Sequence, residues 1–364
     1  MTEFRKPVRN ELYQKTVEVS SKFKSNHIIH TNVTDKTLTD SINVDDDAIK
    51  RYNDRKQKTS ENLQTLAKGN PEAILNLDTQ ERVARRIIQL KEDLPDLTIE
   101  RVIGGNDLMP IFYLEKGKRV SECACRIEVI DEMDNILGHG TGFMVSPSLL
   151  MTNNHVLRNL ESSKKSLAQF NYEKGENNRS KPMVEFRLDP NKFFYTNKEL
   201  DFTLVDVNPT SEDGQELSKF HYLKLIKETG KAIIGEYVTV IQHPRGEMKQ
   251  VSLRENRVVD ILDNYVHSIT DTSPGSSGSP VFNDQWNVVS LHHSGVPKTD
   301  AQGNYLTKDN KIWTEDMGDN MIDWIANESV RISSIIKHLE DVKEQIPAHM
   351  KPILDEFLKL TEQV

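Results

Sequence analysis

The chain has 364 residues, 36% of them hydrophobic and 28% charged, with a formal net charge of −9. That length suits roughly two domains of about 100–200 residues each. The acidic balance argues against general nucleic-acid binding, and no run approaches the roughly 18 apolar residues that span a bilayer.

The mixed charges of "MTEFRKPVRNELYQKTVEVS" leave no apolar core of signal-peptide length. Residues 1–45 are polar without a sustained period, and a polar arm is expected there. From about Asp46 to Leu94 the pattern turns helical. One helix is expected to stop at Gly69-Asn70. A second starts at Pro71 and carries Leu75, Leu77, Val83, Ile87, Ile88 and Leu90 on one apolar face.

Beyond Ile99, short apolar runs recur between Gly, Asn, Asp and Pro: "CRIEVID", "TGFMVSPSLLMTNNHVL", "MVEFRLD", "DFTLVDV", "EYVTVIQHP", "RVVDILDN", "SPVFND" and "WNVVSLHH". Strands of this length and spacing predict an all-β barrel or sandwich. Helical patterns resume in "RISSIIKHLEDVKEQI" and, after Pro347, in "AHMKPILDEFLKL". The expected order is a helical extension over 1–99, a β domain over 100–335 and a helical tail over 336–364. Cys123 and Cys125 are the two cysteines. They cannot complete a four-ligand zinc site, and with the missing signal peptide they favour a reducing cytosol.

Three pieces of the β region carry chemistry. "GTGFMVSPSLLMTNNHVL" delivers His155 at the end of a strand, "KELDFTLVDV" sets Asp201 at the mouth of another, and "TDTSPGSSGSPVF" holds Ser277 in a Gly-rich turn. A serine nucleophile needs a base for its proton and a carboxylate to orient that base. It also needs backbone N–H groups aimed at the developing oxyanion, which glycines on either side permit. Each residue is ordinary alone; their joint occurrence in the order His, Asp, Ser points to catalysis. Rival motifs fail on context. "GSSGS" lacks the last glycine of a G-x-S-x-G elbow and is followed by strand texture, "GHGTGF" lacks dinucleotide spacing, and "VDDDAI" is no complete cation loop.

Together these blocks resemble the three catalytic blocks of chymotrypsin-fold serine proteases, and within them the bacterial trypsin-like peptidases that include the glutamyl endopeptidases. The resemblance spans about residues 100–335. It implies a mainly β, chymotrypsin-like pair of six-stranded barrels with the site in the crevice between them; the helical N-terminal extension lies outside it, and helices close the C-terminus. It assigns His155 as general base, Asp201 as its orienting acid and Ser277 as nucleophile. The N–H groups of Gly275 and Ser277 match the oxyanion hole, and no cofactor or metal is required. Asp271, Thr272, His292 and Gly295 match positions around the substrate pocket. His292 with Thr272 favours Glu or Asp before the scissile bond, whereas Asp271 facing the pocket would favour Lys or Arg.

"RVIGG", residues 101–105, resembles a zymogen cleavage site, but Ser276 stands where the acid that pairs with a freed amino terminus would be. The run is therefore expected to be a domain boundary. His243 is expected in a connecting turn, alternation turns His293 away from His292, and neither is assigned a catalytic role. The segment 296–327 is expected to be a surface hairpin, with a lid as the alternative. The expected protein is a cytosolic serine endopeptidase acting on proteins or peptides, without nucleic-acid or membrane partners. Residues 1–99 would serve its regulation, through a protein partner or the barrel itself. The rivals are a catalytically silent protease-fold binding module and an adaptor.

Overall fold

The structure is a computed structural model and describes residues 44–93, 99, 103, 109–253, 256–269 and 275–362. Helix α1 (Asp46–Lys68) starts where the Asp45 side chain accepts the Asp47 N–H, and stops at Gly69, whose φ of +67° closes a left-handed cap. Asn70 then caps α2 (Pro71–Leu75), with Pro71 in the first turn where no N–H is needed. The second expected helix is broken here, because α3 begins only at Gln80 (Gln80–Asp93). Asp78 explains the break: its carboxylate accepts from the Thr79 N–H, pairs with Arg82, and accepts the Ile234 N–H at 3.1 Å. Leu66, Ile74 and Leu90 bury their side chains with Ile233, Val258 and Val289 in one apolar cluster. The helices thus share a core with strands far along the chain.

Helix α4 (Phe112–Glu122) was not anticipated from the pattern. Gly117 in its middle reads as a breaker, yet the Trp286 ring lies where a Cβ would go. Cys123 caps this helix and Cys125 lies in the strand that follows, Ala124–Ile130, so the two thiols fall in separate apolar clusters. Burial pushes both up to about 12, which leaves them unreactive.

The first sheet contains β1 (Ala124–Ile130), β2 (Ile136–Met144), β3 (Leu149–Thr152), β4 (Leu167–Phe170), β5 (Val184–Arg187), β6 (Phe194–Asn197) and β7 (Phe202–Asp206), with the short helix α5 (Leu160–Lys165) after β3. Its order is β5-β4-β1-β2-β3-β7-β6. A bridge between Leu188 and Val207 brings the end of β5 back to β7. Six strands therefore close the ring, and β6 is an added strand on β7.

The second sheet contains β8 (Thr239–Gln242), β9 (Gln250–Ser252), β10 (Arg257–Ile261), β11 (Tyr265–Ile269), β12 (Pro280–Phe282), β13 (Val288–Pro297) and β14 (Trp324–Arg331). Its order is β10-β11-β14-β13-β12-β8-β9, and a Tyr237–Arg257 bridge closes it with β9 as the extra strand. The six-stranded expectation survives once these additions are recognised. The tail forms α6 (Ile332–Val342) and α7 (Lys351–Glu362). Ile335, Leu339, Leu354 and Phe357 pack into one cluster with Phe143 and Phe202 of the first sheet and Phe282 and Leu291 of the second. This shared core sets the two sheets against each other. Between β13 and β14, bridges Thr299–Tyr305 and Leu306–Ile312 form irregular hairpins. Of the 101–105 run, Ile103 is buried in the helical cluster and the others lie outside the described residues. No helix among the described residues is long and apolar enough to cross a membrane.

Candidate active site

Strand β3 ends at Thr152, and the next three residues all contact β6 or the loop between it and β7. The Asn153 amide donates to the Asp201 carbonyl at 2.8 Å, and Asn154 donates to Thr196 Oγ1 at 2.7 Å. The His155 backbone N–H donates to Asp201 Oδ1 at 3.0 Å, and its ring Nδ1 lies 2.7 Å from Oδ2. Asp201 adopts a φ of +41°, a conformation that side chains rarely take and that these bonds hold in place. From the second sheet, the Tyr265 hydroxyl donates to the Glu199 carbonyl at 2.9 Å and fastens the same loop. A carboxylate only accepts, so the imidazole proton sits on Nδ1 and the lone pair on Nε2. That Nε2 is buried with no hydrogen-bond partner among the described residues.

Ser277 is half-buried in a turn held on three sides. Its carbonyl accepts the Thr141 N–H at 2.8 Å, the Gly278 N–H donates to the His292 carbonyl at 3.0 Å, and Thr141 Oγ1 donates to the Gly275 carbonyl at 3.0 Å. Gly275 and Gly278 both have φ of +87°. At Gly278 a Cβ would run into the Thr141 carbonyl and Thr152 Oγ1, three residues before His155. At Gly275 it would lie 2.8 Å from the Gly246 nitrogen. Among the described residues, neither the Gly275 nor the Ser277 N–H makes a backbone hydrogen bond.

The loop against Gly275 contains His243, which lies in the connecting turn after β8 as expected and is fully buried there. Its backbone N–H donates to Thr141 Oγ1 at 3.0 Å, and its Nδ1 faces the Glu247 carbonyl at 2.9 Å. Burial, then the Lys249 charge, pushes this imidazole down to about 3. The unfolded chain therefore takes up the proton first. The stabilisation is whole above about pH 6.5 and is lost as pH falls toward about 3. Between pH 6.5 and 5, the stability advantage of wild type over His243→Gln is expected to narrow by about 2 kcal/mol in guanidinium titrations. An unchanged gap would show that this ring does not titrate as its burial dictates.

Residues 140–291 match the family model of a trypsin-like peptidase domain. His155, Asp201 and Ser277 all fall inside the matched segment, and the two closed sheets are the chymotrypsin-like fold. The uncharacterized protein y4fB of Sinorhizobium fredii is 40% identical over 266 residues, which is 68% of this chain. The chain spans 40% of the length of that relative. Among solved structures, a Ser-to-Ala mutant of Rv3671c from M. tuberculosis H37Rv, in its inactive form, is 15% identical with a TM-score of 0.40. That alignment covers 64% of this chain and 91% of the other.

One residue that alternation had set aside lies against Asp201. His293 Nδ1 is 3.3 Å from Asp201 Oδ2, and its Nε2 is 2.9 Å from Glu328 Oε1. A β-bulge between His292 and Ser294 breaks the strict alternation that turned His293 away. Burial opposes a charge on this ring, but hydrogen bonds to Asp201 and Glu328 push it up to about 9. Asp201 is itself buried. That favours its neutral form, yet the His155 contact and then His293 hold the carboxyl well below the usual range.

Of the pocket residues, Asp271 and Thr272 lie outside the described residues. His292 is buried on β13 beside the serine turn, and burial together with the His293 and His155 rings pushes it down to about 3. It offers a neutral N–H donor. At Gly295 a Cβ would lie 2.7 Å from Trp324 Cζ3, so this indole covers the glycine.

Proposed function

We propose that the chain is a serine endopeptidase of the trypsin-like class. The observation that carries this reading is the His155 Nδ1–Asp201 Oδ2 contact at 2.7 Å, with an unpaired Nε2 on the same ring. Ser277 Oγ attacks the scissile carbonyl carbon while its proton passes to His155 Nε2. The Gly275 and Ser277 N–H groups hold the resulting oxyanion, and each such donor is worth about 10²–10³ in rate. His155 then protonates the departing amine as the C–N bond breaks, leaving an acyl-enzyme on Ser277. A water that His155 deprotonates hydrolyses this ester and restores the serine.

For the side chain before the scissile bond we propose Glu or Asp, on the strength of the His292 donor on the β13 wall. The Trp324 ring over Gly295 gives that wall an apolar part. Residues 1–99 are proposed to regulate the enzyme, directly or through a partner, in a reducing cytosol.

A biotinylated fluorophosphonate is expected to attach to the Ser277 peptide in mass spectra of the native protein. Digestion of a proteome-derived peptide library should then show cuts after Glu or Asp. No adduct under any condition would favour a catalytically silent binding module. An adduct with cuts after Lys or Arg would leave the protease reading standing and overturn the pocket assignment.

A further inference from the structure

Behind Asp201, charges of alternating sign run to the N-terminal helix. Asp201 Oδ2 meets His293, and His293 meets Glu328 on β14. Glu328 is buried, yet the hydrogen bonds from His267, His293 and Arg51 outweigh that burial and keep it ionised. His267 Nε2 lies 2.8 Å from Oε2, and Arg51 of α1 donates from Nε at 3.0 Å and Nη2 at 2.5 Å to Oε1. Arg51 also donates to Asp45 Oδ2 at 2.9 Å, and its guanidinium lies 4.0 Å over the Tyr265 ring. Tyr265 in turn stacks on His293, with centroids 5.7 Å apart.

The helix reaches this position by contacts of its own. Arg55 makes two 2.8 Å bonds to Asp260, and the Asn62 amide donates to the Val259 carbonyl. Ala48 and Tyr52 pack with Val296 and Ala326, and the Asp45 N–H donates to Ser294 Oγ, beside His293.

We propose that Arg51, presented by helix α1, supports the catalytic apparatus: Arg51 clamps Glu328, Glu328 orients His293, and His293 shares with His155 the task of fixing Asp201. His293 and Glu328 are positioning residues, since neither reaches substrate. The inference rests on the triad reading and gives the N-terminal region a supporting role rather than an inhibitory one. Two carboxylates face the His293 ring from opposite sides, so it serves both only while each nitrogen carries a proton. Its other ionisable neighbours are His292 on its own strand, Tyr265 and His267 on β11, Arg51 and Asp45 at the start of α1, and His155 across Asp201. Loss of the proton frees one carboxylate from its donor. Misplacement of a catalytic group by about 1 Å costs about 10²-fold in rate.

The test compares full-length wild type with Arg51→Gln, Arg51→Lys, His293→Gln and Arg55→Gln. Arg51→Gln and His293→Gln are expected to lower kcat about 10²-fold, with KM within about twofold. Wild type should show an alkaline limb near pH 9. His293→Gln abolishes that limb, and Arg51→Gln moves it upward because a neighbouring cation is gone. Arg51→Lys restores part of the rate. Arg55→Gln also weakens helix docking but should keep wild-type kcat and limb.

The downfield proton resonance of His155 Nδ1, assigned by its loss in His155→Gln, is read in every other protein. It should shift in Arg51→Gln and His293→Gln and stay in place in Arg55→Gln. The resonance needs no turnover, so an inactive protein with shifted resonances would sink the protease reading and spare the relay. Wild-type behaviour of Arg51→Gln or His293→Gln would overturn the relay. Equal responses to Arg51→Gln and Arg55→Gln would do so too, because docking alone would then account for the effect.

Discussion

Replacing Ser277 by alanine is expected to cut kcat by about 10⁶-fold and leave the fold intact. The turn around Ser277 is built from its backbone. Its carbonyl accepts from Thr141, Gly278 bonds the His292 carbonyl, and glycines with φ of +87° sit on both sides. The half-buried side chain makes no hydrogen bond to the rest of the described residues, so removing Oγ orphans no partner among them. Thermal midpoints of the two proteins should agree closely. The rate loss follows because His155 Nε2 then has no proton to take, and adding His155→Ala should cost little more, since the two groups act as a unit. Hydrolysis of a fluorogenic peptide in stopped and continuous assays measures both. A Ser277→Ala protein within tenfold of wild type would mean that another group attacks.

What could be read from the sequence was whatever is encoded locally. The Gly69-Asn70-Pro71 cap, the strand texture and the Ser277 turn each lie within a few residues, and the structure forms all of them. Asp201 was legible as an acid at a strand mouth, and the structure brings it to His155. The contacts that escaped all depend on distant parts of the chain. Nothing in "FYLEKGKRVSE" shows that the Trp286 ring covers Gly117 and lets the helix run through it. The break at Asp78 depends on the Ile234 N–H, and the buried state of His243 on the closed sheet around it.

His293 is the instructive case. Period-two alternation sets it opposite His292, and that rule holds only for a regular strand. The bulge between His292 and Ser294 brings the side chain to Asp201, while its second partner, Glu328, comes from β14 and its third-hand support from α1. An adjacent pair of histidines followed by a distant "NES" and an Arg in an early helix has no signature at short range. The signal is a buried Glu on a strand that accepts from His267, His293 and Arg51, which appears only once the strands are paired.

The same network makes Asp201→Asn the more informative of the two large losses. Asp201 accepts the His155 backbone N–H at Oδ1, and at Oδ2 it faces the ring nitrogens of both His155 and His293. An amide offers one acceptor and one donor in that place. If its oxygen stays toward the rings, its NH₂ opposes the His155 backbone N–H. If it turns over, the NH₂ faces His155 Nδ1, forces the proton onto Nε2 and leaves no base for Ser277. Either arrangement also removes the carboxylate that stabilises the imidazolium formed during attack. The expected loss in kcat is about 10⁴-fold, smaller than for Ser277→Ala because the oxyanion donors and the nucleophile remain. Fluorophosphonate labelling should slow in parallel, since it uses the same base. The His293 ring loses one of the two carboxylates that hold its proton, so any residual activity should lose the limb near pH 9. If Asp201→Asn keeps kcat within tenfold of wild type and the same alkaline limb, neither His155 nor His293 acts through this carboxylate.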